Sequence, residues 1–284
     1  MHQKQHTLWL LAALAAPLAH FSGCGWLSAG AAAAAALPLM LLPKDWERPL
    51  GPVVLAQLVS LGAVAGTLLQ YSAVYWPSDN ALAVPLVLLA LAALTGNAAA
   101  PRIGALLALC MALTAVPAAV SGAAKAEPAW LRPTVEAWPW MLSLVLLLAN
   151  LPAADRGKRS VGAVGILAVL PALLVQGILS PWVAASVPDP FWQTARTLGH
   201  LEPVIAVGMT LGWYVTALWL LRSAGCIAAG AGIKGKWADV LPVGTAAAVI
   251  ILRMQPKALF WTVLGGFLWV LIPFLNAIRK VKKR

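Results

Sequence analysis

Few side chains in this chain of 284 residues have the chemistry for a site. Glu202 is the acid placed closest to an apolar run, in the first turn of a helix predicted to start near Leu201, with Pro203 after it. Steps of four and three put Glu202, Ala206, Met209, Trp213 and Thr216 on one stripe of that helix. The stripe fits two readings. It could line a pocket with an apolar floor, with Glu202 as a gate or as partner to a ligand ammonium, since ionisable residues at membrane depth are functional candidates. It could equally be packing. An acid near a helix start favours the macrodipole, and Pro suits the first helical position. Gln57 and Ser60, three apart, share a face of another apolar run. Ser143, Asn150, Gln176 and Thr210 complete the short polar set, and such groups commonly bond a neighbouring helix. No acid or cation is predicted deeper than Glu202, so ion-driven uptake is not expected. No paired carboxylates share a run, no histidines cluster, and no nucleophile has a base at usable spacing, so neither an enzyme nor a cofactor or metal is expected. Cys24, Cys110 and Cys226 fall in or beside different apolar segments, a spacing that fits neither a metal site nor a disulfide framework.

The elements that must position these residues are apolar. The chain is 61% hydrophobic and 10% charged, where a soluble domain carries about 25% charge. This predicts an all-α integral membrane protein. At about 20 residues per span there is room for roughly ten helices and no soluble catalytic domain. The spans are expected at 7–19, 26–42, 50–73, 81–95, 103–120, 139–151, 161–179, 201–222, 240–252 and 258–278. A short amphipathic piece, Phe191 to Gly199, leads into the eighth. The eighth is expected to end at Arg222, before a Gly-rich basic loop with Lys234 and Lys236.

Charge tests the count. With ten spans, 15 of the 20 Lys and Arg fall on the side of the two termini, which the positive-inside rule makes cytoplasmic. The net charge of +11 is therefore read as topology against a lipid bilayer, with no nucleic-acid partner. Phe21-Ser22-Gly23-Cys24 after a Lys-bearing start is also compatible with a lipoprotein signal and its lipidation cysteine, but 26–42 is plainly another span, which favours a first membrane helix that happens to end in SGC.

Spans one and six are both short and both broken by Pro, and they hold corresponding places if the chain is two five-helix halves, about 7–121 and 138–278. Paired short segments point to a 5+5 inverted-repeat bundle of the LeuT/APC kind, one polytopic domain over 1–284, with its site where those helices unwind. The candidate ligand contacts are then Ala15, Ala16 and Pro17 in span one, Gln57 and Ser60 in span three, Trp140 and Ser143 in span six, and Glu202, Met209 and Trp213 in span eight.

The wording of the chain resembles a family. Pro17-Leu-Ala-His20 followed by Gly25-Trp26-Leu27-Ser28, then Pro190-Phe191, His200-Leu201-Glu202, Gly232-Ile-Lys234, Pro242 and the basic tail are similar, in order, to the B subunit of spore germinant receptors. These are the GerAB-type spore germination permeases of the APC superfamily of amino-acid transporters. The resemblance spans nearly the whole chain and is most specific in the last third. It implies a ten-helix subunit of the bacterial cell membrane, in the spore the inner membrane. Such a subunit senses a small nutrient such as an amino acid and triggers germination with A and C subunits. The alternatives are a small amino-acid permease working alone and a membrane scaffold that has lost its ligand. The sequence departs from the family in span one, where Leu11-Ala-Ala-Leu-Ala-Ala-Pro17 stands in place of a glycine-rich break.

Overall fold

A computed structural model of the chain describes residues 2–31, 34, 51–76, 81–95, 99–130, 158–199, 201–233, 237–254, 264, 267–272 and 275. These residues are helical throughout, with short turns between. The long elements are α1 (His2–His20), α2 (Gly51–Gln70), α3 (Ala83–Leu94), α4 (Ala100–Lys125), α5 (Lys158–Ser186), α6 (Pro190–Leu198), α7 (Glu202–Gly230) and α8 (Trp237–Ile251). Short 3-10 turns extend α1 (Phe21–Cys24) and α2 (Tyr71–Tyr75), and Phe267–Leu271 forms a π-helical turn.

Two of these, Pro52–Tyr75 and Glu202–Gly230, are long and apolar enough to cross a membrane. At 1.5 Å per residue α7 measures about 43 Å. It is the central post, packing on α1, α2, α3, α4, α6 and α8. It runs beyond its expected end at Arg222, through Gly225, to Gly230. The apolar pattern there is interrupted by one cation, and that cation has an intramolecular use. The Arg222 guanidinium donates to the carbonyls of Ala92 (3.4 Å), Ala93 (3.3 Å) and Thr95, the last carbonyls of α3. A helix end leaves those carbonyls without donors, and a cation there also meets the negative end of the dipole.

The closest helix pair is α2 with α8. A Cβ on Gly62 would stand 2.3 Å from the Pro242 carbonyl oxygen, and one on Gly66 2.6 Å from that of Ala246. Gly62 and Gly66 are one turn apart, as are Pro242 and Ala246, so two small-residue faces meet backbone to backbone. Higher up the same pair, Gln70 Nε2 donates to the carbonyls of Val249 (3.3 Å) and Met254 (3.0 Å) at the end of α8.

Proline shapes the remaining helices. The sequence predicts a break of span one at Pro17, but α1 continues through Pro17 to His20. Pro17 has no N–H for the carbonyl of Ala13 four residues back. Thr216 of α7 takes that place, with Oγ1 2.6 Å from the Ala13 oxygen and 2.8 Å from that of Gly212. The helix is repaired from outside, and its regular path ends three residues later, at His20. The same logic operates in α5. Pro181 cannot donate to Gly177, and the Glu127 amide does so instead at 2.9 Å. There α5 breaks, at Ser180 with φ 60° and ψ 154°. The break adjoins the end of span one, because a Cβ on Gly23 would lie 2.5 Å from the Ala184 oxygen and 2.6 Å from Pro190 Cγ. The expected sixth span lies outside the described residues.

Candidate functional site

Where α1 gives way, polar side chains from four elements converge. His20 is the last residue of α1. Tyr71 and Tyr75 stand on the 3-10 extension of α2. Asp189 is the N-cap of α6, its Oδ1 accepting the Trp192 amide at 2.9 Å. Trp213 comes from the middle of α7. His20 Nδ1 lies 2.9 Å from Asp189 Oδ2, and the Tyr75 hydroxyl donates to the same oxygen. His20 and Asp189 are 2% and 3% exposed.

Rings close around the pair. The His20 and Tyr71 centroids are 4.2 Å apart, and Trp213 lies 5.7 Å from each. Tyr75 meets Trp192 edge to face at 5.3 Å. Trp213 Nε1 is buried and closes no hydrogen bond. The local reasons are ordinary. Asp ahead of Pro190 at the first helical position is a strong N-cap signature. Tyr71 and Tyr75 stand at the two ends of the 3-10 extension, Tyr71 against His20 and Tyr75 against Asp189. A buried acid is tolerated only where its oxygens are hydrogen-bonded, and His20, Tyr75 and the Trp192 amide all reach them.

The predicted site residues divide. Ala206, Met209, Trp213 and Thr216 form one buried stripe of α7, and its middle, Trp213, touches His20. Glu202 does not extend the stripe inward. It faces outward, its side chain 44% exposed, with Arg196 Nε 3.7 Å from Oε1. A long carboxylate in the first turn gains more from water and the helix dipole than from burial, and this placement favours the helix-start reading over the bundle-facing one. Ala15, Ala16 and Pro17 lie in unbroken helix, Ala16 fully buried, so no unwound backbone is presented there. Gln57 and Ser60 are both buried, as their shared face predicts. They sit about 16 to 21 Å down α2 from Tyr71, too far to join the cluster. Gln57 Nε2 bonds the Leu268 carbonyl in the π-turn at 3.2 Å, and its Oε1 is buried without a partner. Trp140 and Ser143 lie outside the described residues.

Sequence reasoning missed His20, Asp189, Tyr71 and Tyr75 as site residues. The expectation that no ionisable group lies deeper than Glu202 is overturned by the buried His20–Asp189 pair. The available signal was the Asp189-Pro190 cap beside polar residues ending two apolar runs. Gln176, read as interhelical, is so. Its Nε2 bonds the Trp130 carbonyl at 3.0 Å, and its Oε1 accepts the Trp26 amide at 3.4 Å. Among the described residues no three His, Cys, Asp or Glu side chains gather as a metal site requires.

A scan against protein-family models gives no match, and a search of curated proteins finds none either.

Proposed function

We propose that this chain is a membrane subunit that senses a small nutrient, an amino acid foremost, on a transporter-like 5+5 bundle. On this reading it acts in a germinant receptor with A and C subunits in the inner membrane of the spore, both termini cytoplasmic. The observation that carries it is where the polar groups meet. His20, Tyr71 and Tyr75 come from the first half of the chain, and Asp189 and Trp213 from the second. In inverted-repeat transporters the site lies at such a junction, beside the ends of irregular helices.

Reciprocal packing supports the two-half architecture. α2, the third span, runs parallel to α8, the ninth, because Gly62, Gly66 and Gln70 meet Pro242, Ala246 and Val249 in that order. α7, the eighth span, likewise caps α3, the fourth, through Arg222, and Tyr214 meets Thr95 at 2.7 Å. Each half thus lends its third span to close the end of the other half's fourth. α2 and α7 themselves run antiparallel, with Tyr71 beside Trp213 and Trp76 Nε1 2.7 Å from Thr210 Oγ1. Two halves of opposite orientation produce this pattern.

A permease working alone is the second reading. The buried Asp189–His20 pair favours it, since ion-coupled uptake uses an ionisable group at depth.

The test is thermal stabilisation of detergent-purified protein across a panel of amino acids and nucleosides, with Asp189→Asn alongside. Ligand at about a hundred times its dissociation constant adds about 2.7 kcal/mol. A shift from one amino acid, lost in a folded Asp189→Asn, supports a ligand site at this junction. Accumulation of that amino acid in proteoliposomes selects the permease. Absence of any shift, in the chain alone and with A and C subunits added, overturns both in favour of a scaffold.

A further inference from the structure

We propose that residues 181–198 form a sprung flap, hinged at Ser180 and Gly199, that seats on the junction of His20, Tyr75 and Asp189 and covers it. Three residues around this junction share one backbone conformation. Gly25 has φ 77° and ψ 152°, Ser180 has φ 60° and ψ 154°, and Gly199 has φ 71° and ψ 140°. Such angles suit glycine and strain a residue that carries a Cβ. The chain supplies glycine at two of these places and serine at the other. Ser180 and Gly199 bound one segment, which holds the end of α5 and all of α6.

Strain of this kind persists only where surrounding contacts impose it, and the segment makes such contacts. Ala184 and Leu198 pack with Val175, Ile178 and Leu179, which precede the break. The Ala184 carbonyl approaches the end of α1 so closely that a Cβ on Gly23 would lie 2.5 Å from its oxygen. Asp189 meets His20 and Tyr75, and Trp192 packs edge to face on Tyr75. The first part of α5 is held separately. Gln176 Nε2 bonds the Trp130 carbonyl at 3.0 Å, and the Glu127 amide bonds that of Gly177 at 2.9 Å. With both sides fixed, the strain falls on the residue between them.

The two angles of Ser180 differ in what they cost. A residue before proline is driven to ψ of about 120° to 160°, so the observed ψ suits Pro181 and only φ is strained. Relief comes from turning φ to negative values at constant ψ. That rotation lifts 181–198 away from the first part of α5 and carries Asp189 off His20 and Tyr75. At the other end glycine follows the movement freely, and a Cβ on Gly199 would meet nothing within 4 Å among the described residues. The seating contacts therefore work against a spring, and the junction opens locally while α7 stays folded. The inference concerns the unliganded chain and does not rest on the ligand reading.

Hydrogen exchange of the amides in residues 182–198, in detergent micelles at one fixed pH, tests it. Ser180→Gly removes the strain and should lower the opening constant about fivefold. Ser180→Ala keeps the Cβ and should stay within about twofold of wild type. Gly199→Ala adds strain to the seated flap without a clash and should raise the opening constant about tenfold. Protection of residues 205–220 in α7 should be the same in all three variants. An opening constant unchanged or raised in Ser180→Gly overturns the proposal, as does one unchanged in Gly199→Ala. A parallel change in α7 overturns it as well, since the segment would then not open by itself. Ser180→Gly relieves strain and decides the matter even where Gly199→Ala fails to fold.

Discussion

Replacing Thr216 by Val should destabilise the protein by about 1 kcal/mol, and only when Pro17 is present. Pro17 removes the amide that would serve the Ala13 carbonyl, and Thr216 Oγ1 serves it from α7 at 2.6 Å. Ala13 and Thr216 are fully buried, so no water replaces the lost donor. An orphaned buried acceptor costs about 1–3 kcal/mol. Hydrogen bonds between membrane helices measure nearer 0.6, with a maximum of about 1.7 kcal/mol, because partners are also found in the unfolded state. The second contact of Thr216, to Gly212 at 2.8 Å, adds little, since that carbonyl has its own helical donor. The estimate therefore settles at about 1 kcal/mol. Pro17→Ala restores the missing amide, and Thr216→Val in that background should cost close to nothing. The assay is a double-mutant cycle by SDS titration, read by far-UV circular dichroism. A coupling of about 1 kcal/mol is expected. Equal costs of Thr216→Val in the two backgrounds, to within about 0.3 kcal/mol, would refute the repair of α1 from α7.

Gly62→Ala should cost about 1–3 kcal/mol in the same titration, because its methyl meets the Pro242 backbone rather than a movable side chain. Gly244→Ala, with nothing within 4 Å, should instead stabilise α8 by roughly 0.5–1 kcal/mol, and destabilisation there would contradict the packing. Arg222→Met should cost about 1.5–3 kcal/mol by unbinding the end of α3, with faster hydrogen exchange in residues 91–95 as the local signature. Glu202→Gln should change stability by less than about 1 kcal/mol and leave any ligand shift in place, because its ion pair with Arg196 is exposed. A lost ligand shift there would restore Glu202 to the site.

The sequence determined the class of structure. Long runs of apolar residues favour helices, which satisfy every backbone group without outside partners, and the described residues are helical. It also determined the α7 stripe, since a period of 3.6 fixes which residues share a face: Ala206, Met209, Trp213 and Thr216 are buried together. Gln57 and Ser60 followed for the same reason. It set the chemistry of the breaks, because a proline always removes one amide.

The tertiary structure decided what those facts became. Pro17 did not break its helix, because a hydroxyl 199 residues further along the chain replaced the lost donor. Asp189 and His20 are 169 residues apart, and Gln70 and Val249 are 179 apart. No local pattern reports the rotation and register that bring such residues together. The two acids make the point most directly. Asp189-Pro190 and Glu202-Pro203 are nearly the same words at a helix start, and both suit the positive end of a dipole. One acid is buried where α1, the extension of α2 and α6 meet, in contact with His20, Tyr75 and the Trp192 amide. The other opens to solvent beside an exposed arginine. Both acids suit a helix start, Asp189 as the cap and Glu202 in the first turn, and burial by distant segments made the first a candidate site.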